Sequence, residues 1–187
     1  RPLPPGPSPG SGFPRTLSPH PLVWQELPWE PEYTIYNRRI TAMRMGAMPA
    51  DEAYWKLRRQ AILRHTGELP IEIAGPDALR LLNRVFTRDV SKNRVGRCSY
   101  QIACYEDGGM ILDGVLVRLS DDRFWYGQAD GDLLLWLRAH GQGMDVAVTD
   151  PEVWLSQVQG PASLRVPEAA VDGTYPAAFR WFDAATA

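Results

Sequence analysis

Tyr100 to Leu119 reads YQIACYEDGGMILDGVLVRL, and this stretch decides the fold. Two apolar runs flank Glu106-Asp107-Gly108-Gly109. Asp-Gly and Gly-Gly are hairpin dipeptides, because their residues accept the positive φ that matches the twist of the flanking strands. The reading is a strand from Cys98 to Tyr105, a turn, and a strand from Met110 to Leu119. Along the second strand the odd positions are Ile111, Asp113, Val115, Val117 and Leu119, and the even ones Met110, Leu112, Gly114, Leu116 and Arg118. Both faces are mostly apolar, so the strand is central, with one acid in its wall.

A two-residue loop, centred on Asp107-Gly108 or on Gly108-Gly109 with a shifted register, puts Cys98, Tyr100, Ile102 and Cys104 on the face of Asp113. Tyr100 and Asp113 then share a wall. A carboxylate among apolar side chains needs a hydrogen-bond partner, a cavity or neutralisation. A purely structural acid, bonded to backbone or to a nearby arginine, is the competing reading.

Outward from the hairpin, Ser120-Asp121-Asp122-Arg123 turns into a strand from Phe124 to Gln128. Asp130 or Asp132 then caps a helix through Leu133, Leu134, Trp136 and Leu137 that Gly141 stops. Met144 to Val148 is a last alternating strand.

Before the hairpin, Ile71 and Ile73 mark a short strand, followed by Gly75-Pro76-Asp77 and a helix through Ala78, Leu79, Leu82 and Phe86. The pattern returns: IAGPDALR (73–80) and VQGPASLR (158–165) are two copies of one strand, Gly-Pro, helix unit. Two copies do not make a solenoid. They suit an α+β fold, a pseudo-symmetric mixed or antiparallel sheet with crossover helices.

Further upstream, Ala53, Tyr54, Leu57, Ala61 and Ile62 recur at helical spacing after Pro49, which predicts a docked amphipathic helix over 50–64. Glu32 to Met45 reads as a short strand and a loop. Residues 1–31 hold most of the prolines and form a largely disordered, proline-rich tail, with Trp24 and Trp29 laid on a surface. The folded domain is therefore 32–187.

The chain has 187 residues, 44% hydrophobic and 22% charged, enough for one sizeable core. A net charge of −2 with a sequence pI near 5.9 gives nucleic acid or an anionic membrane no purchase. No run is long and apolar enough to span a bilayer, and the cysteines read as reduced, so a cytoplasmic protein is expected. Cys98 and Cys104 fall roughly 20 Å apart along one strand, too far to bridge. His20, His65 and His140 are scattered, with no metal-ligand spacing, and no metal is expected.

The run GPDALRLLNRVFTRDVSKNRVGRCSYQIACYEDGGMILDGVLVRLSDDRFWY (75–126), continuing to VQGPAS, resembles the folate-binding half of the glycine cleavage T-protein (aminomethyltransferase) superfamily. YTIYNRR, the helix around AYWKLR, and FWYGQADGDLLLW look most like its dimethylsulfoniopropionate demethylase-like members. The resemblance covers Tyr33 to Phe182, and because family members are about twice this length, it implies an incomplete N-terminal part.

It implies tetrahydrofolate as cofactor, a small-molecule methyl donor such as dimethylsulfoniopropionate or a methylated amine, and methyl or aminomethyl transfer to N5 of tetrahydrofolate. Asp113 matches the second acid of a GG-x-x-D-D-like motif and is the implied catalytic residue; the first acid is Leu112 here. Tyr100, Asp113 and Gln128 are the implied cofactor contacts, and Trp125 an implied contact to a cationic donor. Self-association is left open. A non-catalytic folate-binding or assembly module, or an inactive partial chain, is the alternative.

Overall fold

The computed structural model describes residues 17–170 and 180–185. In chain order it contains β1 (Ser18–Pro19), β2 (Pro31–Tyr36), β3 (Arg39–Met45), α1 (Ala50–Arg59), β4 (Ile62–His65), β5 (Leu69–Ala74) and α2 (Ala78–Val85). The hairpin β6 (Arg97–Cys104) and β7 (Met110–Arg118) follows, then β8 (Arg123–Gln128), α3 (Leu133–His140), β9 (Ala147–Thr149), β10 (Ser156–Gln159) and α4 (Arg165–Ala170).

The main sheet is antiparallel throughout, in the order β6-β7-β8-β5-β9. β2 and β3 form a hairpin that β1 joins in parallel, and β4 pairs with β10. The fold is thus α+β with mixed and antiparallel sheets, as the strand and helix periodicities predict. Below the main sheet, Ile71, Ile73, Leu116, Phe124 and Tyr126 are sealed against Leu81 and Leu82 of α2 and Leu133 and Leu137 of α3. Each such side chain contributes about 1.5–3 kcal/mol on burial, so this single layer carries the domain's stability.

The two Gly-Pro units share their local geometry. Gly75 has φ +134° and Gly160 +123°. Each accepts a turn hydrogen bond at its carbonyl, from Ala78 N at 2.9 Å and Ser163 N at 3.0 Å. A Cβ would fall 2.6 Å from the Asp145 carbonyl oxygen at Gly75, and 2.4 Å from that of Gln60 at Gly160. Glycine is therefore required at both positions by backbone conformation and by close approach. The units serve different sheets: β5 lies in the main sheet and β10 on β4.

Three local expectations change. The segment read as a loop after Tyr36 is β3, because Asn37 (φ 50°) and Arg38 (φ 62°) form a glycine-free tight turn. Asn37 tolerates this conformation since its side chain is fully engaged, donating to the Gly67 and Gln128 carbonyls at 3.3 and 3.1 Å and accepting from Gln128. The helix expected to reach 64 ends at Arg59. Gln60 leaves helical geometry (φ −131°), its carbonyl accepts from Ala162 N at 3.0 Å, and Ile62 to His65 pair with β10.

The third change concerns the tail, of which residues 1–16 lie outside the described residues. From Leu17 the chain is folded onto the domain rather than disordered. Ser18 and Pro19 pair with Arg39 and Ile40, and His20 is 6% exposed. The His20 ring stacks on His65 with centroids 4.0 Å apart and planes at 13°, with Trp154 edge-on. Its Nδ1 accepts from Leu22 N at 3.1 Å, while His65 spans Ser156 Oγ at 2.8 Å and Gln25 Oε1 at 3.2 Å. Trp24 stays largely exposed, whereas Trp29 lies against the domain, with Lys56 Nζ 5.7 Å from its ring centroid and its carbonyl accepting from Ala47 N at 3.0 Å; the histidine stack holds the start of the segment.

Burial pushes the His20 imidazole down to about 4, with the charges of His65 and Arg39 adding to it, and burial lowers His65 as well. A detached His20 binds its proton near pH 6.5, so between pH 6.5 and about 4 the detached state holds more protons. Docking of residues 18–26 is therefore complete above that window and weakens as pH falls through it. Hydrogen exchange, corrected for the intrinsic pH dependence, should show Val23 to Glu26 losing protection across it. Constant protection, or a His20 ring titrating near pH 6.5, would contradict this account.

Candidate functional site

The face of the main sheet away from α2 and α3 carries the predicted pair. Ile102 is opposite Asp113, Tyr100 opposite Val115 and Cys98 opposite Val117, the register of a loop centred on Asp107-Gly108 once the irregularity next to Cys104 is passed. Directly paired residues point to one face, and the diagonal from Tyr100 to Asp113 is within reach of an aromatic side chain. The Tyr100 hydroxyl donates to Asp113 Oδ2.

This face is half-open, where the sequence led us to expect burial. Tyr100 is 40% exposed, and Asp113, Val115 and Val117 are half-buried, while Leu112 and Leu116 on the opposite face are sealed. The strand reads apolar on both faces, yet its helices cover only one. Asp113 thus meets its requirement through a hydroxyl partner and access to solvent.

Trp125 is on the same face, opposite Val117 on one side and Glu72 on the other. It lies four positions along from the site opposite Asp113, about 13 Å by strand rise, so it bounds the far end of the wall and does not reach the acid. Its indole Nε1 is buried without a partner among the described residues. Between them is Gly127, paired with Val115 and Pro70. A Cβ there would meet only the Val115 carbonyl oxygen at 3.9 Å, so the glycine leaves a floor in the wall. Gly127 was missed in the sequence, although a lone glycine inside the strand FWYGQ is a signal of close approach to a ligand or backbone.

Gln128 is not brought to this wall. It shares the core face with Phe124 and Tyr126 and is 2% exposed. Its amide donates to Asn37 Oδ1 at 3.1 Å and the Gly131 carbonyl at 2.7 Å, and accepts from Leu134 N at 3.0 Å. The side chain expected to contact a cofactor instead joins the β2–β3 turn to the first turn of α3, where Asp132 makes no side-chain cap and Asp130 accepts from Asn37 N.

Beneath the wall, the Tyr126 hydroxyl lies under Gly114, where a Cβ would come within 2.8 Å of it. Burial pushes the Tyr126 phenol well above its ordinary value, and the charge of Asp113 adds to the shift, so it stays protonated and is no base. Cys98, a free thiol, is also raised by burial despite Arg97 beside it, so it is no ready nucleophile. Among the described residues no helix is long and apolar enough to cross a membrane.

The family described as the GCVT N-terminal domain matches residues 35–187. Dimethylsulfoniopropionate demethylase of Ruegeria pomeroyi is 36% identical over 131 residues, 69% of this chain and 36% of the relative. An aminomethyltransferase of Herpetosiphon aurantiacus is 37% identical over 95 residues, 48% of this chain and 26% of the relative. The matched stretches thus span about a third or less of these curated relatives. The crystal structure of glycine cleavage system aminomethyltransferase T from Bartonella henselae superposes with a TM-score of 0.74 at 21% identity, covering 84% of this chain and 45% of the other, a likeness of fold.

Proposed function

The chain belongs to the GCVT N-terminal domain family, and from that premise we propose that it forms one wall of a tetrahydrofolate site in a cytoplasmic methyl or aminomethyl transferase. The observation that carries this reading is the Tyr100–Asp113 hydrogen bond on an open sheet face beside the floor at Gly127. A tetrahydropterin would fit such a wall: Gly127 leaves room for its flat pyrimidine part, Asp113 is the residue that would face the nitrogen of its reduced ring, and the helix-covered face would stay undisturbed.

Tetrahydrofolate supplies N5 as the acceptor of a one-carbon group. Transfer would form the bond from N5 to the one-carbon unit as the donor's own C–S or C–N bond breaks, and would release the N5 proton. With Tyr100 on Oδ2, Asp113 would receive that proton at Oδ1, which has no partner among the described residues. Tyr100 fixes the carboxylate's rotamer and so aims Oδ1. The proposed donor is a small molecule such as dimethylsulfoniopropionate or a methylated amine. Trp125, at the far end, contributes ring surface there and no contact at the reacting nitrogen.

Gly127→Leu tests the reading. The new side chain has free space on the open face, so the fold should tolerate it, while tetrahydrofolate affinity measured by calorimetry should drop at least tenfold. Unchanged affinity would remove the cofactor from this wall. Turnover with dimethylsulfoniopropionate, dimethylglycine and sarcosine then separates the donors.

A further inference from the structure

A second site lies at the free edge of β6, apart from the wall. A cleft of about 920 Å³ opens between β6, the segment from Arg88 to Arg94, and Arg180-Trp181. Five cationic side chains line it, Arg88, Lys92, Arg94, Arg97 and Arg180, against one acid, Asp89. Asp89 is already engaged: it accepts from the Ser91 amide and hydroxyl and sits 3.7 Å from Lys92. Arg97 is held by Asp183 and by the Trp181 carbonyl. Among the described residues Arg88 and Arg94 have no carboxylate partner; Arg88 donates only to the Tyr100 carbonyl. In a chain of net charge −2, this local excess of positive charge is not a property of the whole surface.

Two buried amides point to a ligand independently of the charge. Asn93 is 7% and Gln101 1% exposed, and both line the cleft. Asn93 Nδ2 and Gln101 Oε1 are inaccessible and lack a partner among the described residues. Leaving such an atom unsatisfied costs about 1–3 kcal/mol, so a pair of them beside one cleft is unexpected unless something polar completes them. Both atoms lie behind the cleft wall, so a side-chain rotation would be needed to bring Asn93 Nδ2 to an anionic oxygen or Gln101 Oε1 to a hydroxyl or N–H.

We propose that this cleft binds a multiply charged anion with clustered oxygens, either a polycarboxylate or a phosphate ester, as a site distinct from the Tyr100–Asp113 wall. Arginine supplies the planar, bidentate donor set that both oxyanion types require. The openness of the cleft and the spread of its cations over three segments favour an extended ligand over a single small ion.

The experiment is calorimetric titration of the protein at physiological ionic strength with two probes, γ-linked triglutamate and inorganic pyrophosphate, neither of which carries a pterin. Nonspecific attraction to exposed charges is largely screened at that salt. Saturable binding of at least one probe is expected, weakened at least tenfold in Lys92→Gln/Arg94→Gln, whose side chains are exposed and make only the 3.7 Å surface contact of Lys92 with Asp89. Preference for triglutamate assigns the carboxylate source, and preference for pyrophosphate the phosphate source. No saturable heat from either probe, or equal affinity in the variant, overturns the proposal. Because no pterin is present, either result leaves the cofactor reading of the wall to its own test.

Discussion

Replacing Asp113 by asparagine is expected to lower turnover by about 10²- to 10⁴-fold, the span associated with losing a positioned proton acceptor. Asparagine keeps the size of the side chain, and its carbonyl oxygen still accepts from the Tyr100 hydroxyl, so the wall keeps its shape. What is lost is a group able to receive a proton. Tetrahydrofolate affinity should therefore change far less than turnover. Equal losses in both would assign Asp113 to binding, and a variant with full turnover would remove it from the chemistry and favour a non-catalytic folate-binding module. Tyr100 acts one step removed, through the orientation of the carboxylate, so its loss should be the milder of the two.

The largest effect on stability is expected one residue along. Gly114→Ala places a methyl 2.6 Å from the Gly127 carbonyl oxygen and 2.8 Å from the Tyr126 hydroxyl. Neither neighbour can withdraw cheaply. The carbonyl belongs to the next strand of the ladder, and Tyr126 is fully buried and stacked on Phe86 with ring centroids 5.1 Å apart. Overpacking of this kind costs about 1–3 kcal/mol, which should appear as a lower denaturation midpoint with little change in slope. An unchanged midpoint would mean that the strand carries more slack than the contacts allow. The same substitution displaces the backbone next to Asp113, so turnover should fall even at temperatures where the protein stays folded.

What the sequence made legible was local. Asp107-Gly108 and the alternation on either side specify β6, β7 and their register, and with them the shared wall of Tyr100 and Asp113. Gly-Pro followed by a helical apolar spacing specifies the β5–α2 unit and its second copy at β10. The errors arose where a distant partner decides the outcome. The end of α1 depends on the Ala162 amide reaching Gln60, and the Asn37-Arg38 turn on the carbonyls of Gly67 and Gln128. Gln128 is a different case: its parity with Phe124 and Tyr126, a feature of the strand itself and not of a distant partner, already places its side chain on the core face. The openness of the Asp113 face was invisible, since an apolar strand states that its faces can be covered, not that they are.

The free edge of β6 is guarded at three points: Thr87 N donates to the Ile102 carbonyl, Arg88 to that of Tyr100, and Cys98 N to that of Phe182. The first two guards are made before the strand itself, but the third comes from Phe182, 84 residues beyond Cys98. At synthesis rates of about 5–20 residues per second, the strand waits roughly 4–17 seconds for it. During that interval Cys98 offers an unpaired amide next to an apolar hairpin, the geometry in which nascent chains pair with the wrong partner.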